Sequence, residues 1–88
     1  MKLTEKQISD MKHVIGYDSR KINSSGTYNA YRNFFGVSKE SPSWEELVIA
    51  GYATKRKVLN DVVYHITDKA VSYLERILSI KITQDYRN

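Results

Sequence analysis

Residues 52–67 read Tyr52-Ala53-Thr54-Lys55-Arg56-Lys57-Val58-Leu59-Asn60-Asp61-Val62-Val63-Tyr64-His65-Ile66-Thr67, and here the rhythm of the chain changes. Up to Gly51 the apolar side chains recur at helical spacing; from Tyr52 they alternate. Leu59-Asn60-Asp61 divides the stretch into two arms, and its Asn-Asp pair suits a tight turn. The reading is a β-hairpin. In its second arm Val62, Tyr64 and Ile66 share one face, with Val63, His65 and Thr67 opposite.

Helices flank this hairpin. Downstream, Thr67 can cap a helix that starts at Asp68, whose carboxylate also suits a helix N-terminus. Ala70, Val71, Leu74, Ile77 and Leu78 form its apolar stripe. The tail, 81–88, has two open readings: it prolongs that helix, or it frays. Upstream, Ser43 and Glu46 have capping-box spacing, with Pro42 where a helix start tolerates it. Trp44, Leu47, Val48 and Ala50 give an apolar side over 43–50, and Gly51 is the stop.

The N-terminal half is less regular. Thr4 and Gln7 form another capping box, with Leu3 and Ile8 placed for a hydrophobic staple. Ile8, Met11, Val14 and Ile15 continue a helix over 5–15, which Gly16 terminates. Residues 18–27, DSRKINSSGT, are rich in turn formers and read as a loop. Tyr28, Tyr31 and Phe35, with Phe34 beside it, fit one face of a short helix over 28–35 that ends at Gly36. The same aromatics also suit an irregular segment pinned to the core.

Eighty-eight residues fit a single domain spanning 1–88, with no repeat and no linker. Seven Tyr, two Phe and one Trp supply the large side chains a small core needs. The absence of cysteine excludes disulfides and thiolate metal sites and favours an intracellular setting. No apolar run approaches the roughly 20 residues a membrane-spanning helix needs. The opening Met1-Lys2-Leu3-Thr4-Glu5-Lys6 lacks the apolar core of a signal peptide, so a cytoplasmic protein is expected. A formal charge of +4 permits an acidic partner without requiring one.

Helix, short helix, helix, hairpin, helix is the order of a winged-helix domain. Leu47, Gly51, Tyr52, Arg56, Ile66 and Thr67 resemble that family's pattern of a Leu-bearing helix, a glycine stop, a basic wing strand and a Thr-capped last helix. The resemblance covers about 40 residues. It implies an α+β, winged-helix-like fold with three N-terminal helices, a two-stranded antiparallel β-hairpin as the wing, and a C-terminal helix. Tyr31-Arg32-Asn33-Phe34-Phe35 is also similar to small uncharacterised phage and prophage proteins that carry a YRNxF motif. That pattern usually has Gly shortly after the Thr, where this chain has Ala70. The likeness implies a phage origin and a bacterial host cell, and no activity.

No catalytic constellation is visible. His13 and His65 lack ligand companions at helical or strand spacing, so structural histidines are expected and no metal. Glu45 and Glu46 are adjacent, about 100° apart on a helix, and cannot clamp one group. With no phosphate loop or nucleophile set, neither an enzyme nor a cofactor is expected.

Two binding readings stand. In the first, double-stranded DNA meets Lys55, Arg56 and Lys57 on the wing together with Arg20, Lys21 and Arg32, a group that Lys12 joins. Alternation sends Arg56 to one face and the two lysines to the other, and a solvated edge strand protected by Lys is the competing account. The carboxylates of Glu45 and Glu46 weigh against the 43–50 helix as a groove reader. Arg32 and Asn33 have two roles open as well. They either present polar groups beside an aromatic platform, or pack a stem on a ring and bond backbone. In the second reading the chain is a protein-interaction module that uses Trp44, Glu45 and Glu46. It could also form a homodimer through the Val71/Leu74/Leu78 stripe of the last helix.

Overall fold

The computed structural model describes residues 2–87. Met1 and Asn88, the outermost residues of the N-terminal and tail stretches considered above, lie outside the described residues. In chain order the elements are α1 (Glu5–Val14), a 3-10 turn (Ser19–Lys21), β1 (Thr27–Ala30), β2 (Phe35–Val37), α2 (Pro42–Ile49), β3 (Ala53–Val58), β4 (Asp61–Ile66), α3 (Asp68–Leu78), β5 (Lys81–Gln84) and a closing 3-10 turn (Asp85–Arg87).

The strands form two sheets. β2, β4 and β3 make an antiparallel sheet in that order, while β1 and β5 pair in parallel. The hairpin follows the alternation of its sequence. Val58 lies opposite Asp61, leaving Leu59 and Asn60 as the two turn residues. Leu59 takes a left-handed φ of 57°, costly for a branched side chain but demanded by a tight right-twisted hairpin. Val62, Tyr64 and Ile66 are buried, as the two-residue period requires.

Local capping chemistry sets the helix starts. Thr4 Oγ1 accepts from the Gln7 backbone N–H at 3.0 Å, and Gln7 Oε1 accepts from the Thr4 N–H at 3.0 Å. Gln7 is itself buried, and its Nε2 donates to Glu46 Oε1 at 3.2 Å. The capping residue of α1 thereby also ties α1 to α2. That contact accounts for a difference at α2, where a Ser43/Glu46 capping box is expected. The helix instead starts at Pro42 with Ser41 at the cap position and no side-chain cap, and the Glu46 carboxylate turns to Gln7. At α3, Thr67 Oγ1 accepts from the Ala70 N–H at 3.4 Å and donates to the Gly51 carbonyl at 2.7 Å.

The core is aromatic at its centre. The Trp44 ring stacks on both Phe35 (5.6 Å between centroids) and Tyr64 (5.4 Å), which are cross-strand neighbours. Such pairs add about 0.5–1.5 kcal/mol each beyond the area they bury. Met11, Val14 and Ile15 of the first helix region, Leu47 of α2 and Leu74 of α3 close around them.

The architecture corrects the expected fold. It is α+β, with three helices and five strands among the described residues. It is not the winged-helix-like arrangement of three N-terminal helices, wing and C-terminal helix. No helix spans 28–35. That stretch holds β1, a linking segment and the start of β2. The i, i+3 spacing of Tyr28 and Tyr31 coincides with a strand pattern in which Tyr28 and Ala30 point inward and Asn29 outward. What decides between the two is β5, more than 50 residues later in the chain, whose backbone pairs Thr27–Ala30 residue for residue.

The tail neither prolongs α3 nor frays over its described residues. Ser79 adopts a left-handed φ of 55° and reverses the chain. Glu75 Oε2 accepts from the Ile82 N–H at 2.8 Å, and the Gly26 carbonyl accepts from the Lys81 N–H at 2.9 Å. Ile82 is thus set beside β1 with its side chain in the core.

Ile82→Ala is expected to cost about 2–5 kcal/mol in denaturant unfolding. Amides of residues 81–84 are expected to exchange as slowly as those of α3. A loss below about 0.5 kcal/mol, within the range of surface substitutions, together with fast exchange in the tail, would reject β5 as part of the core.

Candidate functional site

The site is built around residues 31–34, which connect β1 to β2 and belong to neither sheet. Two side chains pin this link from opposite sides. Asn33 Oδ1 accepts from the Ile66 backbone N–H at 2.8 Å, and Asn33 Nδ2 donates to the Ile66 carbonyl at 2.9 Å. The amide thus copies a strand's hydrogen-bond pair at the end of β4, two residues beyond Tyr64, the last β2 partner. Arg32 reaches the other way and donates to the His13 carbonyl at 2.8 Å. Tyr28 Oη donates nearby to the Ile15 and Gly16 carbonyls. A helix C-terminus leaves carbonyls without partners and carries partial negative charge, so a tyrosine hydroxyl and an arginine are fitting partners for it.

Held this way, the link turns two aromatic rings outward. Tyr31 is 58% exposed and Phe34 57%. The Tyr31 ring lies over Gly16, where a Cβ would sit 2.6 Å from its hydroxyl. Gly16 therefore serves twice, as a left-handed terminator (φ 67°) and as the floor under this ring. Arg32 and Lys21 approach the same ring, 5.6 Å and 5.9 Å from its centroid, within cation–π range.

Around the ring is an open concavity of about 610 Å³, lined by Lys12, His13, Arg20, Lys21, Tyr31 and Arg32 among others. These residues come from the end of α1, the 3-10 turn and the link, three segments brought together only by folding. Of the expected basic group, Arg20, Lys21, Arg32 and Lys12 do converge. Arg20 is already engaged: its Nε and Nη2 donate to Asp18 at 3.1 and 2.9 Å. Those bonds and the Arg20 backbone N–H bring the Asp18 carboxyl down from 3.8 to about 2. None of the ion pairs among the described residues involves Lys12, Lys21 or Arg32.

A second concavity, about 520 Å³, shares Tyr31 and Arg32 with the first and continues onto the outer face of the antiparallel sheet. Phe34, Arg56, Val58, Val63 and His65 line it. Arg56 Nε donates to His65 Nε2 at 3.1 Å, and His65 Nδ1 lies 2.6 Å from the Asn33 carbonyl. With Nε2 accepting from Arg56, the ring proton sits on Nδ1 and points at that carbonyl.

The rest of the β3–β4 hairpin faces elsewhere. Lys55 and Lys57 lie opposite Tyr64 and Val62, on the core side of the sheet, while Arg56 lies opposite Val63 on the outer side. Lys55 Nζ donates to Glu45 Oε1 at 2.7 Å, and Glu45 also accepts from the Tyr64 hydroxyl. The bonds from Lys55 and then Tyr64 hold the Glu45 carboxyl below the usual range. Trp44, proposed above as a protein anchor, is 1% exposed, and Glu45 and Glu46 are both engaged inside the chain. Val71 and Leu74 of the α3 stripe are buried in the chain's own core, with Leu78 packed against it.

Sequence reasoning missed Asp18 as the partner of Arg20. Its i, i+2 position at the start of a turn was the available signal. It also missed the outward turn of Tyr31 and Phe34, for which no local signal exists. Among the described residues no helix is long and apolar enough to cross a membrane, and no group of three or more His, Cys, Asp or Glu could hold a metal ion.

The Asp18–Arg20 contact has a pH signature. A depressed carboxyl contributes stability that is present above its unfolded value, near 3.8, and is lost as pH falls through about 2. An NMR titration of the Asp18 carboxyl is expected to show a midpoint near about 2, moving up toward 3.8 in Arg20→Ala. A wild-type midpoint already at the usual aspartate value would dismiss the contact in solution. Comparison of the chain with protein-family models, curated proteins and solved structures finds no match.

Proposed function

We propose that this chain is a non-enzymatic DNA-binding protein that takes the phosphate backbone into the groove lined by Lys12, Lys21 and Arg32. The supporting observation is the convergence of cations from α1, the 3-10 turn and the 31–34 link on one concavity, with Lys12, Lys21 and Arg32 outside every ion pair among the described residues. Phosphate contacts of this kind supply most of the affinity of nucleic-acid binding and make it fall with salt. The formal charge of +4 adds long-range attraction to a polyanion.

The β3–β4 hairpin enters this reading through Arg56 alone, because Lys55 is neutralised by Glu45 and Lys57 shares the opposite face. That differs from a wing-led mode in which all three basic residues touch DNA. The likeness of Tyr31–Phe35 to small phage and prophage proteins fits a protein working in the cytoplasm of a bacterial host.

The test is fluorescence anisotropy with a labelled oligonucleotide between about 50 and about 200 mM salt, the range over which phosphate-led binding falls steeply. Lys12→Glu with Lys21→Glu is expected to weaken binding about tenfold or more, and to lower the log–log salt slope by about 1 per lost phosphate contact. Lys57→Ala, on the other face, is expected to leave affinity within about twofold, as a lost rim charge does. Identical curves for the wild type and the groove variant would remove the groove from the proposal.

A further inference from the structure

The groove's cations have an aromatic neighbour that phosphate binding alone does not explain. Tyr31 and Phe34 are both more than half exposed, three residues apart, and held outward by Asn33 and Arg32. Exposing two large rings gives up burial that a small domain would otherwise use. Around Phe34 the sheet's outer face stays open. Gly36 lies opposite Val63 with no side chain, and a Cβ there would meet nothing within 4 Å. Val58 and Val63 complete an apolar wall, with Arg56 and Arg32 at its margins.

Cations beside exposed rings on an open sheet are the arrangement that receives unpaired bases. A base stacks on a ring while its phosphate lies against a neighbouring lysine or arginine. Duplex reading needs something different, a helix or ribbon whose exposed side carries base-edge donors and acceptors. The helix ahead of the hairpin, α2, exposes Pro42, Glu46 and Ile49, and its Trp44 and Leu47 are buried. The groove cations sit on a helix end, a turn and a link, and none lies along a helix face that could enter a groove.

Resting on the DNA-binding reading above, we infer that the occupant is single-stranded DNA. Its backbone runs along Lys12, Lys21 and Arg32, and its bases stack on Tyr31 and Phe34 toward the outer sheet face by Arg56. The apolar wall of Val58 and Val63 matches the methyl of thymine, the group that sets thymine apart from the uracil of RNA.

The experiment compares, at one salt concentration, an oligo-dT of about 12 nucleotides, within the span such surfaces cover, with a duplex of equal length and with oligo-rU. Wild type is expected to bind oligo-dT about tenfold or more tighter than the duplex. Phe34→Ala and Tyr31→Ala are each expected to lose about tenfold on oligo-dT with an unchanged salt slope, since stacking carries no counterion release. Phe34→Trp, which keeps a stacking face, is expected to retain affinity, with circular dichroism confirming that all three variants fold. Duplex binding equal to or tighter than oligo-dT, with both alanine variants unaffected, overturns the single-strand assignment and leaves the groove reading standing. Preference for oligo-rU overturns the choice of DNA. No binding to any of the three at low salt overturns this inference and the DNA-binding reading together.

Discussion

The structure depends on how residues 31–34 are held. This link crosses from the parallel pair to the antiparallel sheet, and its backbone has no ladder of its own. Asn33 replaces that ladder with two side-chain hydrogen bonds to Ile66. Arg32 anchors the other side to the carbonyl end of α1. A buried backbone group left without a partner costs about 1–3 kcal/mol, so the Asn33 bonds stabilise the crossing chiefly by what they prevent at Ile66.

The same anchors create the surface. Because the polar side chains of the link face inward to backbone groups, its aromatic side chains face outward. Tyr31 comes to rest on Gly16 beside the turn that carries Arg20 and Lys21, and Phe34 on the edge of the outer sheet face. Position decides which of these cations stay outside ion pairs. Arg20 and Lys55 each meet a carboxylate, whereas Lys12, Lys21 and Arg32 surround the concavity without one. A count of basic residues along the chain does not separate these two groups, because the separation is made by the neighbours of each.

Much of the chain was legible. The Thr4/Gln7 cap, the Gly16 and Gly51 stops and the Thr67 start of α3 are encoded within a few residues and formed as read; the hairpin formed too, with its turn at Leu59-Asn60 and Asp61, expected in the turn, already paired in β4. The alternation of the wing also separated Arg56 from Lys55 and Lys57. The Ser43 cap misled because a distant residue, Gln7, takes the Glu46 carboxylate it relied on. The aromatic stretch misled because the eight residues of 28–35 are too few to separate a period of 3.6 from a period of 2.

Local sequence by itself determined those elements whose hydrogen bonds and apolar stripe close within one segment: the Thr-capped α1 and α3, the glycine-stopped α2 and the hairpin. Only the tertiary structure decided that Thr27–Ala30 is a strand, that the tail returns to pair with it, and that Arg20, Lys21 and Arg32 share a groove. The reason is the range of the interactions. A helix or tight turn satisfies its backbone with neighbours a few residues away. A parallel strand finds its partner across the chain, and a charged groove exists only when separate segments meet.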